Sequence, residues 1–288
     1  MRVLLTGAGG QVGRAFRAAA PAGVAIAALT HADLDITDAE QVRHAIAVHA
    51  PQWIINAAAY TAVDAAEGSL AAAHVLNATA VGYLADAAKG THARLVQLST
   101  DFVFDGRAAV PYEPDSITAP IGVYGVTKLA GEECAFKGDA RSIVVRTSWV
   151  YAAYGHNFVR TMLRLMAKEA DVRVVCDQIG TPTWATSLAQ ILWQMLKIDA
   201  AAGIYHWCDA GIASWYDFAI AIQEEALARG LLDHAVPVLP IRSAQYPSAA
   251  QRPPYSVLDS AHTRALTGAA AVHWRAQLRR MLDELTTQ

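Results

Sequence analysis

The chain has 288 residues, 54% hydrophobic and 17% charged, with a formal net charge of −3 at pH 7. That size and composition suit one large domain, or a domain with a smaller lobe, and exclude a disordered chain. No Lys/Arg stripe indicates nucleic acid, and no apolar run approaches the ~20 residues of a membrane span, so neither partner is expected.

Residues 2–5 form a short apolar strand running into Thr6-Gly7-Ala8-Gly9-Gly10-Gln11-Val12-Gly13, then a helix-like stretch over 14–20. Strand, glycine turn and helix N-terminus together make a pyrophosphate site. Free N–H groups and the helix dipole face the anion, and glycine lets the backbone approach closely. The spacing departs by one residue from G-x-G-x-x-G, and an ordinary glycine-rich turn is the bland alternative. Its place between a strand and a helix favours dinucleotide binding. A second strand, 24–29, ends at Thr30-His31, where Rossmann units often carry the acid that holds the adenosine ribose. NADPH is therefore permitted, no arginine demands it, and NADPH or NADH stay open.

Asp38 or Thr37 caps a helix over 39–50, and Asp35 is an alternative contact for an adenine amino group. The buried strand 51–55 ends in Asn56-Ala57-Ala58-Ala59-Tyr60-Thr61, whose alanines leave room for a ligand or simply pack closely. A helix from about 71 to 89 contains Asn77, whose amide needs a partner if it faces inward. Strand 94–98 delivers Ser99-Thr100-Asp101, a Pro- and Asp-containing loop follows, and 142–151 reads as another strand. The alternation implies an α/β fold with a Rossmann-type, doubly wound parallel sheet.

Beyond Tyr151 the expected elements are a helix at 157–168, a strand at 172–175, a helix at 188–196 and a strand at 204–207. A helix at 215–228, an extended segment at 236–241 and a terminal helix at 274–285 complete the chain. The expected division is a dinucleotide-binding domain over 1–150, rejoined by about 180–208, and a smaller C-terminal α/β substrate-binding lobe over 151–179 and 209–288. Cys134, Cys176 and Cys208 are odd in number and lack metal-type spacing; they read as reduced core thiols of a cytoplasmic protein.

Tyr124 and Lys128 lie four residues apart, one turn on the same face of a helix. A free tyrosine titrates near ~10, and a neighbouring cation lowers that value, making the phenol a usable acid. Alone, such a pair is more often a surface coincidence. The glycine turn and the Ser99-Thr100 strand end supply the context that makes it an active-site helix.

Together these segments resemble the extended, nucleotide-sugar branch of the short-chain dehydrogenase/reductase superfamily. The resemblance rests on the turn at 7–13, the segments 56–64, 99–106, 123–132 and 146–151, Asn157-Phe158, and 177–183. It implies cofactor contacts from Gly7, Gly10, Gln11, Val12 and Gly13 at the pyrophosphate and from Asp35 and Ile36 at the adenine. It adds Ala57, Ala58, Ala59, Tyr60 and Thr61 on the cofactor-side loop, with Ser99. Thr100, Tyr124 and Lys128 fall on the catalytic triad, the last two also touching cofactor. Thr100, Asp101, Trp149, Asn157 and Arg252 fall on substrate positions, Trp149 packing on the sugar or base, with a core tryptophan as the bland alternative.

The implied activity is NADPH- or NADH-dependent reduction of the C4 ketone of a dTDP-4-keto-6-deoxyhexose by a monomer or homodimer. Tyr124 would donate the proton, Lys128 would lower its pKa and bond the nicotinamide ribose, and Thr100 would orient the carbonyl oxygen. Phe102 and Tyr255 stand where the family has tyrosine and asparagine. Ala15 replaces a glutamate tied to a metal-linked dimer in some members, so no metal is implied. Dehydratases of the superfamily follow the triad threonine with Asp-Glu; here Asp101 is followed by Phe102. An epimerase shares the triad but keeps its cofactor, and non-catalytic relatives lose a triad member.

Overall fold

The computed structural model describes residues 1–286. Its first part alternates β1 (Arg2–Thr6), α1 (Gln11–Ala18), β2 (Ala25–Leu29), α2 (Ala39–His49), β3 (Trp53–Asn56), α3 (Ala80–Lys89), β4 (Arg94–Thr100), α4 (Val123–Gly138) and β5 (Ile143–Thr147). Later in the chain come α5 (Ala185–Lys197) and β6 (Gly203–His206). The six strands form one parallel sheet in the order β6-β5-β4-β3-β1-β2. This is a Rossmann-type, doubly wound α/β fold.

The strands are apolar runs because both faces of the sheet are covered. Every residue of β3 and β5 is buried. Successive side chains take opposite faces. Leu5, Val96 and Val145 join Phe16 and Trp193 under α1 and α5, whereas Leu4, Leu95 and Val144 join Ile46 and Leu84 under α2 and α3. Phe16 and Trp193 stack at 4.1 Å, and the Trp193 indole N–H donates to the Phe16 carbonyl at 2.8 Å. The chain passes from β1 to β2 on one side and returns to β3 on the other. This leaves a crevice at the carboxyl ends of β1 and β3, where such sheets hold ligands.

A third core cluster, with Tyr151, Met162, Phe218, Trp274 and Leu278 at its centre, lies among the helices Phe158–Met166, Trp215–Leu227 and Trp274–Thr286. The parallel pair Val172–Val175 and Val238–Ile241 packs with it. Residues 142–151 are not one strand. The ladder stops at Thr147, Trp149 takes a left-handed φ of 46°, and Val150–Tyr151 pairs separately with Thr183–Trp184. A residue at positive φ cannot continue a strand. The helix expected over 71–89 is interrupted by a π turn at Val75–Thr79, and a helix at Ala261–Thr267 had no counterpart in the sequence reading. Cys208 is buried, but Cys134 and Cys176 are only half-buried, and all three are free thiols. Among the described residues no helix is long and apolar enough to cross a membrane.

Candidate active site

The glycine turn closes on itself through the Gly10 N–H, which donates to the Gly7 carbonyl at 3.0 Å. Gly7 has φ +65°, and a Cβ there would stand 2.6 Å from the Ala57 carbonyl oxygen. Only glycine lets the end of β1 lie this close to the loop after β3. α1 starts at Gly10 without a side-chain cap. The first N–H groups of a helix, here those of Gln11, Val12 and Gly13, have no carbonyl partner within it and carry the positive end of its dipole. Turn, uncapped helix and small-residue loop fit the diphosphate of a dinucleotide. Ala57, Ala58, Ala59 and Tyr60 are half-buried on that loop, and Thr61 is exposed. Asp38, not Thr37, caps α2: its carboxylate accepts from the Glu40 and Gln41 N–H groups. Ile36 is buried in the core, and the Asp35 carboxylate accepts from the backbone and hydroxyl of Thr37.

A buried polar chain crosses the strand ends beneath this crevice. The Thr6 hydroxyl donates to the Asn56 carbonyl oxygen at 2.6 Å, the Asn56 amide to Gln97 at 2.7 Å, and the Gln97 amide to the Leu98 carbonyl at 2.7 Å. That carbonyl also accepts from the Lys128 ammonium at 2.7 Å. Lys128 on α4 is thus fixed to the centre of the sheet, with 3% of its surface exposed. Burial lowers its pKa to about 8, and the charge of Glu132 offsets part of that shift.

Tyr124 stands one turn earlier on α4, its ring edge-on to Phe102 at 5.6 Å. It keeps some exposed surface, yet burial pushes its phenol up to about 12; the facing Thr100 hydroxyl pulls the value down and the Asp101 charge pushes it up. The expectation that Lys128 lowers the tyrosine pKa is corrected here, because the ammonium is directed to Leu98 and burial governs the phenol. α4 reaches this position because Gly125 has no Cβ: one would fall on the Phe102 carbonyl oxygen.

Thr100 ends β4. Its hydroxyl donates to Asp101 Oδ1 at 3.0 Å and accepts from the Phe102 N–H at 3.2 Å. Asp101 is 1% exposed, and its Oδ2 has no hydrogen-bond partner among the described residues. Burial raises this carboxyl to about 6, against the hydroxyls of Ser256 and Thr100. The structure therefore gathers Thr100, Asp101, Tyr124 and Lys128 at the carboxyl end of β4.

Other expected contacts are placed differently. The Ser99 hydroxyl donates to Glu132, so it turns into the buried interior behind α4 and not toward a cofactor. Trp149 stacks on Trp215 at 3.6 Å and 7°, which covers one face of its ring. Trp215, which the sequence reading did not single out, lines the neighbouring cleft instead.

Asn157 is spent on structure. Its Oδ1 accepts from the Arg160 N–H and caps the helix Phe158–Met166, while its amide donates to Gln11 Oε1 at 2.9 Å and the Ala152 carbonyl at 2.8 Å. The Tyr154 hydroxyl also donates to the Gln11 carbonyl, at 3.3 Å. The segment 154–157 thereby closes over the start of α1. Replacing Asn157 with alanine is expected to cost about 1–2 kcal/mol through the lost cap, read as a lower thermal midpoint. Asp at this position keeps the cap acceptor but sets its second oxygen against the Ala152 carbonyl and Gln11 Oε1, so it should recover little of the loss.

The cleft itself has a volume of about 780 Å³ and lies among the helix Phe158–Met166, the strand Val172–Val175, Trp215 and the segment 243–254. Arg107, Arg173 and Arg252 line it beside apolar walls, and Asp105 is the only acidic wall residue among the described residues. Thr100, Tyr124 and Lys128 are not in its lining; Asp105, on the loop that follows Asp101, and Ile121, just ahead of α4, are. The cleft and the polar cluster are thus adjoining subsites. Among the described residues no group of His, Cys, Asp and Glu is placed to hold a metal ion.

Sheet, glycine turn and Thr–Tyr–Lys cluster are those of the extended short-chain dehydrogenase/reductase class. A family model described as the RmlD substrate binding domain matches residues 1–287, and the chain belongs to that family. It is 41% identical over 96% of its length, and 97% of the relative's, to a dTDP-4-dehydrorhamnose reductase of Aggregatibacter actinomycetemcomitans. A solved dTDP-4-dehydrorhamnose reductase from Clostridium acetobutylicum superposes with a TM-score of 0.92 at 36% identity, covering 99% of both chains. One from Bacillus anthracis, solved in complex with NADP, gives the same TM-score at 35% identity over 98% of this chain and 99% of that one.

Proposed function

We propose that this chain is an NADPH- or NADH-dependent reductase of the C4 ketone of dTDP-4-dehydro-β-L-rhamnose, yielding dTDP-L-rhamnose. The observation that carries the reading is the meeting of Thr100, Tyr124 and Lys128 at one strand end beside the glycine turn. Family membership and the relatives' names support the substrate.

When bound, the reduced nicotinamide supplies the hydride. Tyr124 gives its phenolic proton to the ketone oxygen as that oxygen takes on alkoxide charge. The Thr100 oxygen is held by the Phe102 N–H, and its one proton, which rests on Asp101 Oδ1, turns to the same ketone oxygen. Lys128 is anchored on Leu98 and brings positive charge to the pocket without having to move. Asp101 Oδ2, a buried acceptor without a hydrogen-bond partner among the described residues, takes a sugar hydroxyl. Arg252 and the apolar walls of the cleft receive the nucleotide end.

The division of labour proposed is cofactor binding by 1–150 with 180–208 and substrate binding by 151–179 and 209–288. The pairing of β6 into the sheet and the cleft lining from Trp215 and 243–254 support it. The enzyme is read as cytoplasmic, in keeping with three unpaired cysteines.

A coupled assay with dTDP-4-dehydrorhamnose, following loss of reduced-nicotinamide absorbance with NADPH and NADH in parallel, tests the reading. Stoichiometric oxidation of one cofactor or both is expected. Tightly retained nicotinamide with no net oxidation during turnover would indicate an epimerase instead.

A further inference from the structure

Two carboxylates on the turn after β3 belong neither to the triad nor to the cofactor contacts. Asp64 lies within the single helical turn Val63–Ala66, and Glu67 follows it directly. Asp64 Oδ1 accepts from the Ala250 N–H at 3.1 Å, the Ser248 hydroxyl at 3.1 Å and Arg252 at 3.2 Å; its Oδ2 accepts from the other Arg252 terminal nitrogen at 2.7 Å. One carboxylate therefore holds three residues of the segment 248–252, which forms a wall of the cleft.

Glu67 points the other way. Its Oε1 accepts from the Val123 N–H at 2.9 Å, across 56 residues of sequence. α4 starts at Gly122, which has no side chain to cap it, and Tyr124 is its second residue. Glu67 therefore supplies from a distance the anion and acceptor that this helix end lacks. The two attachments converge. A Cβ at Gly122 would stand 3.0 Å from Glu67 Oε1 and 3.5 Å from the Gln251 carbonyl oxygen.

We propose that the Asp64–Glu67 turn is a clasp that positions both halves of the reaction: Glu67 places Tyr124 through the N-terminus of α4, and Asp64 places the cleft wall through Arg252 and its neighbours. Both are positioning residues, since neither touches the reacting atoms. The proposal rests on the reductase reading and deepens it. Hydrogen bonds from Arg252 bring the Asp64 carboxyl down to about 2, so this half of the clasp keeps its charge at any pH where the enzyme would work.

Because the two carboxylates hold different things, their loss should separate kcat from KM. Glu67→Ala is expected to lower kcat about tenfold with KM for the sugar nucleotide nearly unchanged, the fold-change that corresponds to losing one helix cap. Glu67→Gln, which keeps an acceptor of the same reach, should restore most of it. Asp64→Ala is expected to raise that KM about 3- to 10-fold, through the ordering lost from Arg252 and its segment, with kcat nearly unchanged. Parallel losses in kcat and KM that merely track a lower thermal midpoint, or no change in either variant, would overturn the clasp. Hydrogen exchange gives a readout independent of turnover: the Val123 amide should exchange faster in Glu67→Ala and the Ala250 amide faster in Asp64→Ala. If the wild-type chain reduces no nucleotide ketosugar, the reductase reading fails alone, and unchanged exchange at both amides then decides against the clasp.

Discussion

Tyr124→Phe is expected to lower kcat by about 10²–10⁴-fold, the usual worth of a positioned general acid. The substitution removes one oxygen and leaves the ring that packs edge-on against Phe102, so fold and cofactor binding should persist. The phenol is pushed up to about 12, which keeps it protonated at neutral pH, the state a proton donor must be in before hydride arrives. The first group to titrate on the alkaline side is then Lys128, lowered to about 8 by burial. Its ammonium is present below that pH and lost above it. The kcat/KM profile, which reports the free enzyme, should therefore fall as pH rises through about 8. The residual activity of Tyr124→Phe should keep this limb, because the limb belongs to the lysine. A rate unaffected by the substitution would remove Tyr124 from the proton-donor role, and an alkaline limb that vanished with the hydroxyl would assign that limb to the tyrosine.

The parts of the site that the sequence displayed are those whose signal is local. The glycine turn sits between a strand and a helix within the first 18 residues, and Tyr124 and Lys128 share a helix face at a spacing of four. Hydrophobic periodicity and turn chemistry report such features directly. What stayed hidden is pairing across the fold. Asn157 meets Gln11 over 146 residues and Arg252 meets Asp64 over 188, and neither partner leaves a mark near the other in the chain. The family resemblance implies substrate contacts from Asn157 and Arg252, yet Asn157 is consumed by a cap and a bridge, and Arg252 is held by a carboxylate on its way to the cleft. Trp149 shows the same limit. A tryptophan at a strand end reads as a ligand platform until a second tryptophan is found stacked on it. Asn77 carried one usable signal, an amide in an apolar helix. It accepts from the Tyr60 N–H at 2.8 Å and donates to Thr127 at 3.1 Å, tying the cofactor-side loop to α4 from within the π turn.

Behind α4, one turn beyond Lys128, Glu132 and Arg146 form an ion pair at 2.7 Å with side chains 3% and 2% exposed. A second contact, from Arg146 Nε to Glu132 Oε1 at 2.9 Å, makes the pair bidentate. Ser99 donates to the same carboxylate, and Arg146 also donates to the Pro114 carbonyl at 3.1 Å. His206 faces the guanidinium at 3.4 Å and the Tyr112 carbonyl at 3.0 Å. Burial, with the Arg146 charge adding to it, takes this histidine down to about 3, so it is neutral. The carbonyl then requires the proton on Nδ1 and leaves Nε2 to accept from Arg146.

Glu132→Gln leaves that guanidinium without its counter-charge in the interior and is expected to cost about 3–5 kcal/mol, as is Arg146→Met, which strands the carboxylate. Against a total stability of about 5–15 kcal/mol, either loss should be plain in denaturant unfolding. Replacing both groups in Glu132→Gln/Arg146→Met leaves no buried charge, so the double variant should be more stable than either single one. Additive losses would mean that the two side chains are not coupled. The double variant also separates folding from catalysis. Glu132 raises the Lys128 pKa against burial, so without it the ammonium is lost at lower pH. With stability largely recovered, the alkaline limb should move below pH 8, whereas a pair that served folding alone would leave it in place.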